Sequence, residues 1–120
     1  MLTENDIGRL AARIADAYRP LVVGTFGSYA TGSVTSRSDL DIFMITGASG
    51  SAARDPRAVR RLLFHVLYPL DVHVFTPAEF EESAYEYQSF TWVIAQQARL
   101  YHWDREAEQA VPSLRPRVAP

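Results

Sequence analysis

Two residue types are missing from this chain of 120 residues. It contains no cysteine, which excludes disulfides, zinc-thiolate centres, iron-sulfur clusters and thiol nucleophiles. It also contains no lysine, because all 12 basic residues are arginine, and this excludes a Walker A phosphate loop and a Schiff-base lysine. Phosphate binding by this chain must therefore use backbone amides, hydroxyl groups, arginine side chains or a metal ion.

Long apolar runs and an excess of positive charge are also absent. The sequence shows no signal-peptide pattern and no apolar run long enough to span a membrane, so we expect a cytoplasmic protein without membrane contact. The formal net charge of -2 argues against direct nucleic-acid binding, which needs a basic surface. A length of 120 residues is sufficient for one domain with a single core.

One stretch, residues 24–45, combines the end of an apolar strand, a Gly-Ser turn, a polar loop and the start of a second strand. Gly27 and Ser28 follow the predicted buried strand Leu21–Thr25 and precede a short predicted helix. Glycine allows a backbone to approach a ligand closely, and the amide groups that open a helix attract anions. This turn is therefore predicted to bind phosphate.

A pair of carboxylates begins the second strand, predicted over Asp39–Thr46. Asp39 and Asp41 are two residues apart, so they share one face of the strand at a separation of roughly 7 Å between Cα atoms. Like charges held this close repel each other unless a proton or a cation lies between them. Hard oxygen ligands beside a phosphate-binding turn favour Mg²⁺, so the stretch predicts a site for a nucleoside triphosphate and its metal.

Capping signals and apolar periodicity organise the rest of the chain. The order of the predicted elements indicates a small α/β domain with a three- or four-stranded sheet over residues 1–104, followed by a flexible tail over 105–120. The segment 47–51 has the composition of a mobile linker. The remaining predicted elements are a helix from the Thr3 capping box to before Pro20, a helix from Asp55–Pro56 through Leu67, a strand over Leu70–Phe75, helices from Thr76–Pro77 and over Phe90–Ala98, and an edge strand or helix end over Arg99–Trp103.

The central stretch resembles a known family. The residues that carry the resemblance are Gly27, Ser28, Gly32, Ser38, Asp39, Leu40 and Asp41. Their types and spacing are similar to the Gly-Ser-(x)n-Asp-x-Asp signature of the polymerase-beta-like nucleotidyltransferase superfamily, and more narrowly to its minimal nucleotidyltransferases. Ala30 also fits, and Asp71 supplies the third carboxylate that the family places on a later strand. Thr31 departs from the pattern, because many relatives carry arginine there.

The resemblance implies a fold, a reaction and a set of site residues. The fold would be a short mixed sheet flanked by helices, and the reaction a nucleotidyl transfer with ATP as substrate. Asp39 and Asp41 would hold two Mg²⁺ ions, and Asp71 would help to hold the one that activates the acceptor hydroxyl and would accept its proton. Gly27, Ser28 and Ser38 would bind the nucleotide.

The resemblance also implies a partner. Stand-alone relatives of this size are often the antitoxin of a toxin-antitoxin pair and adenylate a tyrosine of a small helical, ribonuclease-type toxin. We therefore expect AMP transfer to such a partner, in a homodimer or a heterocomplex. Two alternatives stay open: a non-catalytic module that binds a toxin or a nucleotide, and nucleotidylation of a small molecule such as an aminoglycoside. The base preference and the acceptor are not determined by the sequence.

Several side chains have a structural as well as a functional interpretation. Ser28 could serve only as a helix cap, and Ser38 only as a turn residue. His73 shares a strand face with Asp71, where it would assist proton transfer, bind substrate or simply occupy the sheet. The aromatic residues with either a core or a partner-facing role are Tyr85, Tyr87, Phe90 and Trp92.

Overall fold

One mixed sheet forms the centre of the fold and carries Asp41 and Asp71. The computed structural model describes residues 2–47, 55–63 and 68–114. Its strands are β1 (Val22–Phe26), β2 (Leu40–Ile45), β3 (Leu70–Phe75) and β4 (Arg99–Trp103), in the order β3-β2-β1-β4. β1 is antiparallel to both β2 and β4, whereas β2 and β3 are parallel. The predicted α/β fold with a mixed sheet is confirmed, and the last predicted element is an edge strand.

The helices begin where the sequence places caps. Thr3 and Asp6 form a reciprocal capping box at the first helix, and Thr76 and Glu79 form another at the fourth. Asp55 caps the third helix, which has proline at its first position. The helices are α1 (Glu4–Tyr18), α2 (Ser28–Thr31), α3 (Pro56–Leu62), α4 (Pro77–Ser83), α5 (Phe90–Gln97), α6 (Ala107–Ala110) and a final 3₁₀ helix (Pro112–Leu114).

The alternation of side chains along β2 separates two apolar clusters, one on each face of the sheet. Leu40, Ile42 and Met44 pack in the first cluster with buried residues of α1 and α3. Phe43 and Ile45 pack in the second, against α4, α5 and α6. Asp41 lies between Leu40 and Ile42 and therefore points to the same face as Phe43, which places the predicted site on the side of α4 and α5.

The segment predicted to be a flexible tail differs from that prediction over residues 105–114. Ala107, Val111 and Leu114 are buried in the second apolar cluster, with at most 4% of their surfaces exposed. Glu81 of α4 accepts hydrogen bonds from the backbone and hydroxyl groups of Ser113. The polar residues between these apolar positions hid the pattern, because α6 and the 3₁₀ helix are each too short to show a full helical repeat.

Parts of three predictions lie outside the described residues. These parts are residues 48–51 of the predicted linker, residues 64–67 of the helix predicted through Leu67, and residues 115–120 of the predicted tail. Within the described ranges, none of the helices combines the length and apolar character needed to cross a bilayer.

Candidate active site

Two carboxylates meet on neighbouring strands. Asp41 of β2 and Asp71 of β3 are direct partners in the parallel register, so their side chains leave the same face at the same level. His73, two residues after Asp71, lies on that face as well. One potential ligand atom from each of these three side chains lies within 4.8 Å of the others. The register of the sheet therefore gathers a group that can hold a divalent cation.

The environment of Asp41 changes the acidity of its carboxyl group. Partial burial raises the pKa of the Asp41 carboxyl, and the charge of Asp71 raises it further. Asp39 acts in the same direction, while His73 lowers the pKa of Asp41. Removing water from a carboxylate beside two other carboxylates is unfavourable, and a bound cation would relieve that cost. The oxygen-rich donor set fits a hard ion such as Mg²⁺.

Asp39 is placed differently from the other two predicted ligands. It precedes the first residue of β2 and is exposed, and it is not a member of the group of three in the described residues. Its charge nevertheless acts on both Asp41 and Tyr68. The structure thus brings Asp41 and Asp71 together and leaves the exposed Asp39 beside them.

The predicted phosphate turn lies against Asp41. Gly27 has φ +71° and ψ -152°, a conformation that is essentially restricted to glycine. A Cβ atom at this position would lie 2.4 Å from Oδ2 of Asp41. Glycine is therefore required here both for the backbone conformation and for the close approach to the carboxylate.

The amide of Gly27 already has a partner. It donates a hydrogen bond of 3.0 Å to Oε1 of Gln97, at the end of α5. The amides that open α2 at Ser28 and Tyr29 have no acceptor within a helix, as is normal for a first turn. In this state, the groups of the turn that can contact a phosphate are therefore these amides and the half-buried Ser28 hydroxyl, and the Gly27 amide can do so only after leaving Gln97.

Ser38 holds the loop before the acidic pair. Its hydroxyl accepts a hydrogen bond of 2.8 Å from the backbone amide of Thr35, and its carbonyl accepts one of 3.1 Å from the Tyr68 hydroxyl. The Tyr68 hydroxyl also pairs with that of Tyr29 in α2. These contacts connect the phosphate turn, the loop and the start of β2.

An aromatic wall supports His73. Its ring centroid lies 5.4 Å from that of Phe26 and 5.1 Å from that of Phe90, and its Nε2 atom is 3.2 Å from Oδ2 of Asp71. The imidazole is thus fixed between two phenyl rings while it contacts the carboxylate. This contact restricts the orientation of the Asp71 carboxylate.

Two residues with a role in this geometry were not singled out from the sequence. Gln97 is the polar member of an otherwise apolar helical stripe, and this could have signalled a buried hydrogen bond. Tyr68 precedes Pro69 and carries no comparable signal, because its partners Ser38 and Tyr29 lie at least 30 residues away.

The fold and the site together define a class: a small α/β domain with a carboxylate centre on adjacent strands beside a Gly-Ser turn. Sequence comparison agrees, since the nucleotidyltransferase domain family matches residues 7–109 of the chain. The chain therefore belongs to the nucleotidyltransferase domain family. A comparison with curated protein sequences gave no significant match.

Solved structures share the fold at low sequence identity. A proposed nucleotidyltransferase from Sulfolobus solfataricus is 22% identical, with a TM-score of 0.53 over 83% of this chain and 78% of the other. A toxin-antitoxin structure with AMP-PNP is 18% identical, with a TM-score of 0.55 over 89% and 83%. A mutant of the toxin-antitoxin MntA-HpeT is 17% identical, with a TM-score of 0.53 over 94% and 84%.

Proposed function

We propose that this protein is a Mg²⁺-dependent nucleotidyltransferase that transfers AMP from ATP to a tyrosine hydroxyl of a partner toxin, as the antitoxin of a toxin-antitoxin pair. The observation that carries the proposal is the opposition of Asp41 and Asp71 across β2 and β3, beside the Gly27 turn. Two structural neighbours are toxin-antitoxin structures, and one of them is described with AMP-PNP. These neighbours support a triphosphate substrate and a protein partner.

The metal ligands would be Asp39, Asp41 and Asp71. Two Mg²⁺ ions would neutralise the phosphate charge and lower the pKa of the acceptor hydroxyl. The side chains of Asp41 and Asp71 already converge, and the exposed Asp39 would complete the set by rotating toward them.

The chain's own groups account for the rest of the transfer. The acceptor oxygen attacks the α-phosphorus, the bond from this phosphorus to the bridging oxygen breaks, and pyrophosphate leaves. Asp71 accepts the proton of the acceptor hydroxyl, in an orientation held by His73. Ser28 and the first amides of α2 contact the departing phosphates, while Ser38 keeps the loop before Asp39 in place.

Label transfer tests this proposal. The protein is incubated with Mg²⁺ and α-labelled ATP, CTP, GTP or UTP in a lysate of its host, beside an Asp39→Asn/Asp41→Asn variant. Asp16→Asn, an exposed change on α1, serves as the matched control. We expect a labelled protein band from ATP with the wild type and the control, and none with the double variant.

The other outcomes discriminate between the remaining functions. Label that appears only in small molecules would indicate metabolite or drug nucleotidylation. A complete absence of label, together with a stable complex between the protein and a partner, would contradict catalysis and favour a non-catalytic binding module.

A further inference from the structure

An exposed aromatic turn adjoins the candidate site. Within the described residues the exposed large apolar side chains are Tyr85, Tyr87 and Phe90, with 69%, 76% and 49% of their surfaces accessible. All three lie in residues 85–90, which comprise most of the connection between α4 and α5 and the first residue of α5, and which we call the aromatic turn. Aromatic rings are enriched in the centres of protein interfaces, and the rings of Tyr85 and Tyr87 are mostly exposed to solvent.

The aromatic turn is fixed from within. Gln88 adopts φ +66°, a left-handed conformation that is uncommon for a residue other than glycine. The Ser89 hydroxyl donates to the carbonyl of Ser83 and accepts a hydrogen bond of 3.1 Å from the amide of Trp92. The Tyr87 ring packs against the Trp92 ring, with 5.0 Å between the ring centroids. A surface that is already ordered loses little conformational entropy on binding, so its rings are presented ready for a partner.

The stretch of sequence that contains the aromatic turn has acidic residues and no arginine. Residues 71–98 contain no arginine, although the chain has 12 elsewhere, and Glu82 and Glu86 are exposed beside the tyrosines. Tyrosine faces and carboxylates are both favourable contacts for arginine and lysine side chains. A nucleic acid would be repelled by these carboxylates, and a symmetric contact with a second copy would bring the same carboxylates together.

A continuous row of side chains leads from this turn to the carboxylates. The Phe90 ring lies 5.1 Å from the His73 ring, and Nε2 of His73 lies 3.2 Å from Oδ2 of Asp71. A protein seated on the aromatic turn would therefore bring its surface residues to the side of the site where Asp71 is exposed.

We propose that the aromatic turn is the docking surface for the protein that supplies the acceptor hydroxyl, and that this protein meets it with a basic surface. The inference rests on the proposed function and adds the place and the charge of the contact. It assigns binding energy to Tyr85, Tyr87 and the neighbouring glutamates, none of which touches the metal ligands.

The test measures binding separately from transfer. The full chain and the purified product of the adjacent gene are titrated by calorimetry without ATP, using Tyr85→Ser/Tyr87→Ser and Glu86→Arg variants. Asp16→Arg is the matched control, since it makes the same change of charge on α1, across the sheet from the aromatic turn. We expect affinity to fall about tenfold or more in both turn variants and to stay within about twofold in the control. Added salt should weaken the wild-type complex.

A second measurement separates docking from folding and catalysis. All variants should bind a fluorescent ATP analogue with Mg²⁺ as the wild type does, which shows that the site is intact. Unchanged partner affinity in the turn variants, no binding of that partner to the wild type, or a wild-type homodimer that the turn variants dissolve would each overturn the docking surface. Loss of the complex in the turn variants, with no AMP on the partner of the wild type, would instead refute the proposed transfer and leave the surface standing.

Discussion

The Tyr68 hydroxyl donates a hydrogen bond of 3.1 Å to the carbonyl oxygen of Ser38. Because a hydroxyl has a single proton, the Tyr29 hydroxyl must be the donor in its contact with Tyr68, and it accepts in turn from the amide of Leu2 at 3.2 Å. The direction of the whole chain of hydrogen bonds is thereby fixed.

Removal of the Tyr68 hydroxyl tests this series of hydrogen bonds. In Tyr68→Phe the Ser38 carbonyl loses its donor, and we expect the free energy of unfolding to fall by about 1 kcal/mol. Urea denaturation measures the change. Tyr18→Phe is the control, because the Tyr18 hydroxyl has no hydrogen-bond partner in the part of the chain that the structure describes. Equal stability of the two variants would show that this series of hydrogen bonds is not formed in solution.

The two glycines that flank α2 should respond differently to alanine. Gly27→Ala strains the backbone and pushes a methyl group against Oδ2 of Asp41, so we expect a loss of about 2 to 4 kcal/mol in unfolding free energy and weaker Mg²⁺ binding. Gly32→Ala at φ +85° meets open space, so only backbone strain of about 1 kcal/mol applies. Thermal melts with and without Mg²⁺ measure both effects. A Gly27→Ala variant that binds Mg²⁺ normally would contradict the close approach.

The raised pKa of Asp41 predicts a specific pH dependence. In the folded, metal-free protein Asp41 keeps its proton to a higher pH than in the unfolded chain, where the pKa of the carboxyl has its ordinary value of 3.8. Ionisation of Asp41 therefore lowers stability as pH rises through the folded pKa, and has no effect below pH 3.8. In the presence of a chelator, the melting temperature of Asp41→Asn should be higher than that of the wild type at pH 7. At pH 3.5 the two melting temperatures should be the same.

Magnesium should reverse that order at pH 7. The wild type gains stability from Mg²⁺, and Asp41→Asn loses most of this gain because a ligand oxygen is replaced by an amide. Asp16→Asn changes an exposed residue of α1, outside the site, and this variant should respond to Mg²⁺ as the wild type does. A wild type that melts above Asp41→Asn in chelator at pH 7 would refute the unfavourable burial of this carboxylate.

The packing of Leu114 predicts that the final turn belongs to the folded core. Leu114→Ala removes a side chain that is 4% exposed, and we expect a loss of about 2 to 4 kcal/mol. Pro112→Ala, at an exposed position of the same 3₁₀ helix, is the control. Chemical denaturation distinguishes the two, and a cost below about 0.5 kcal/mol for Leu114→Ala would restore the flexible tail.

Local signals explain most of what the sequence could predict. The capping boxes at Thr3 and Thr76 and the alternation over Leu70–Phe75 involve neighbours within a few residues, so they are visible without a structure. The Gly27 turn and the acidic pair were likewise contained in one short stretch, and the family comparison confirms the resemblance drawn from them.

Contacts between distant residues could not be predicted in the same way. The hydrogen bond from Gly27 to Gln97 spans 70 residues, and the burial of Val111 and Leu114 depends on the second apolar cluster. The role of Asp71 came from resemblance alone, because no pattern within the chain states which strands adjoin or in which register. The sequence likewise could not predict that Asp39 lies outside the group of three, because β2 begins one residue later, at Leu40.

The parallel register of Asp41 and Asp71 has a consequence for how the site is lost. Their spacing is set by the backbone ladder between β2 and β3, at about 4.8 Å between strands, and not by any loop or helix. Fraying of the chain ends or of the short helices leaves this spacing unchanged. Separation of the two carboxylates requires the edge strand β3 to part from β2, so the metal site should persist until the amides of that ladder open.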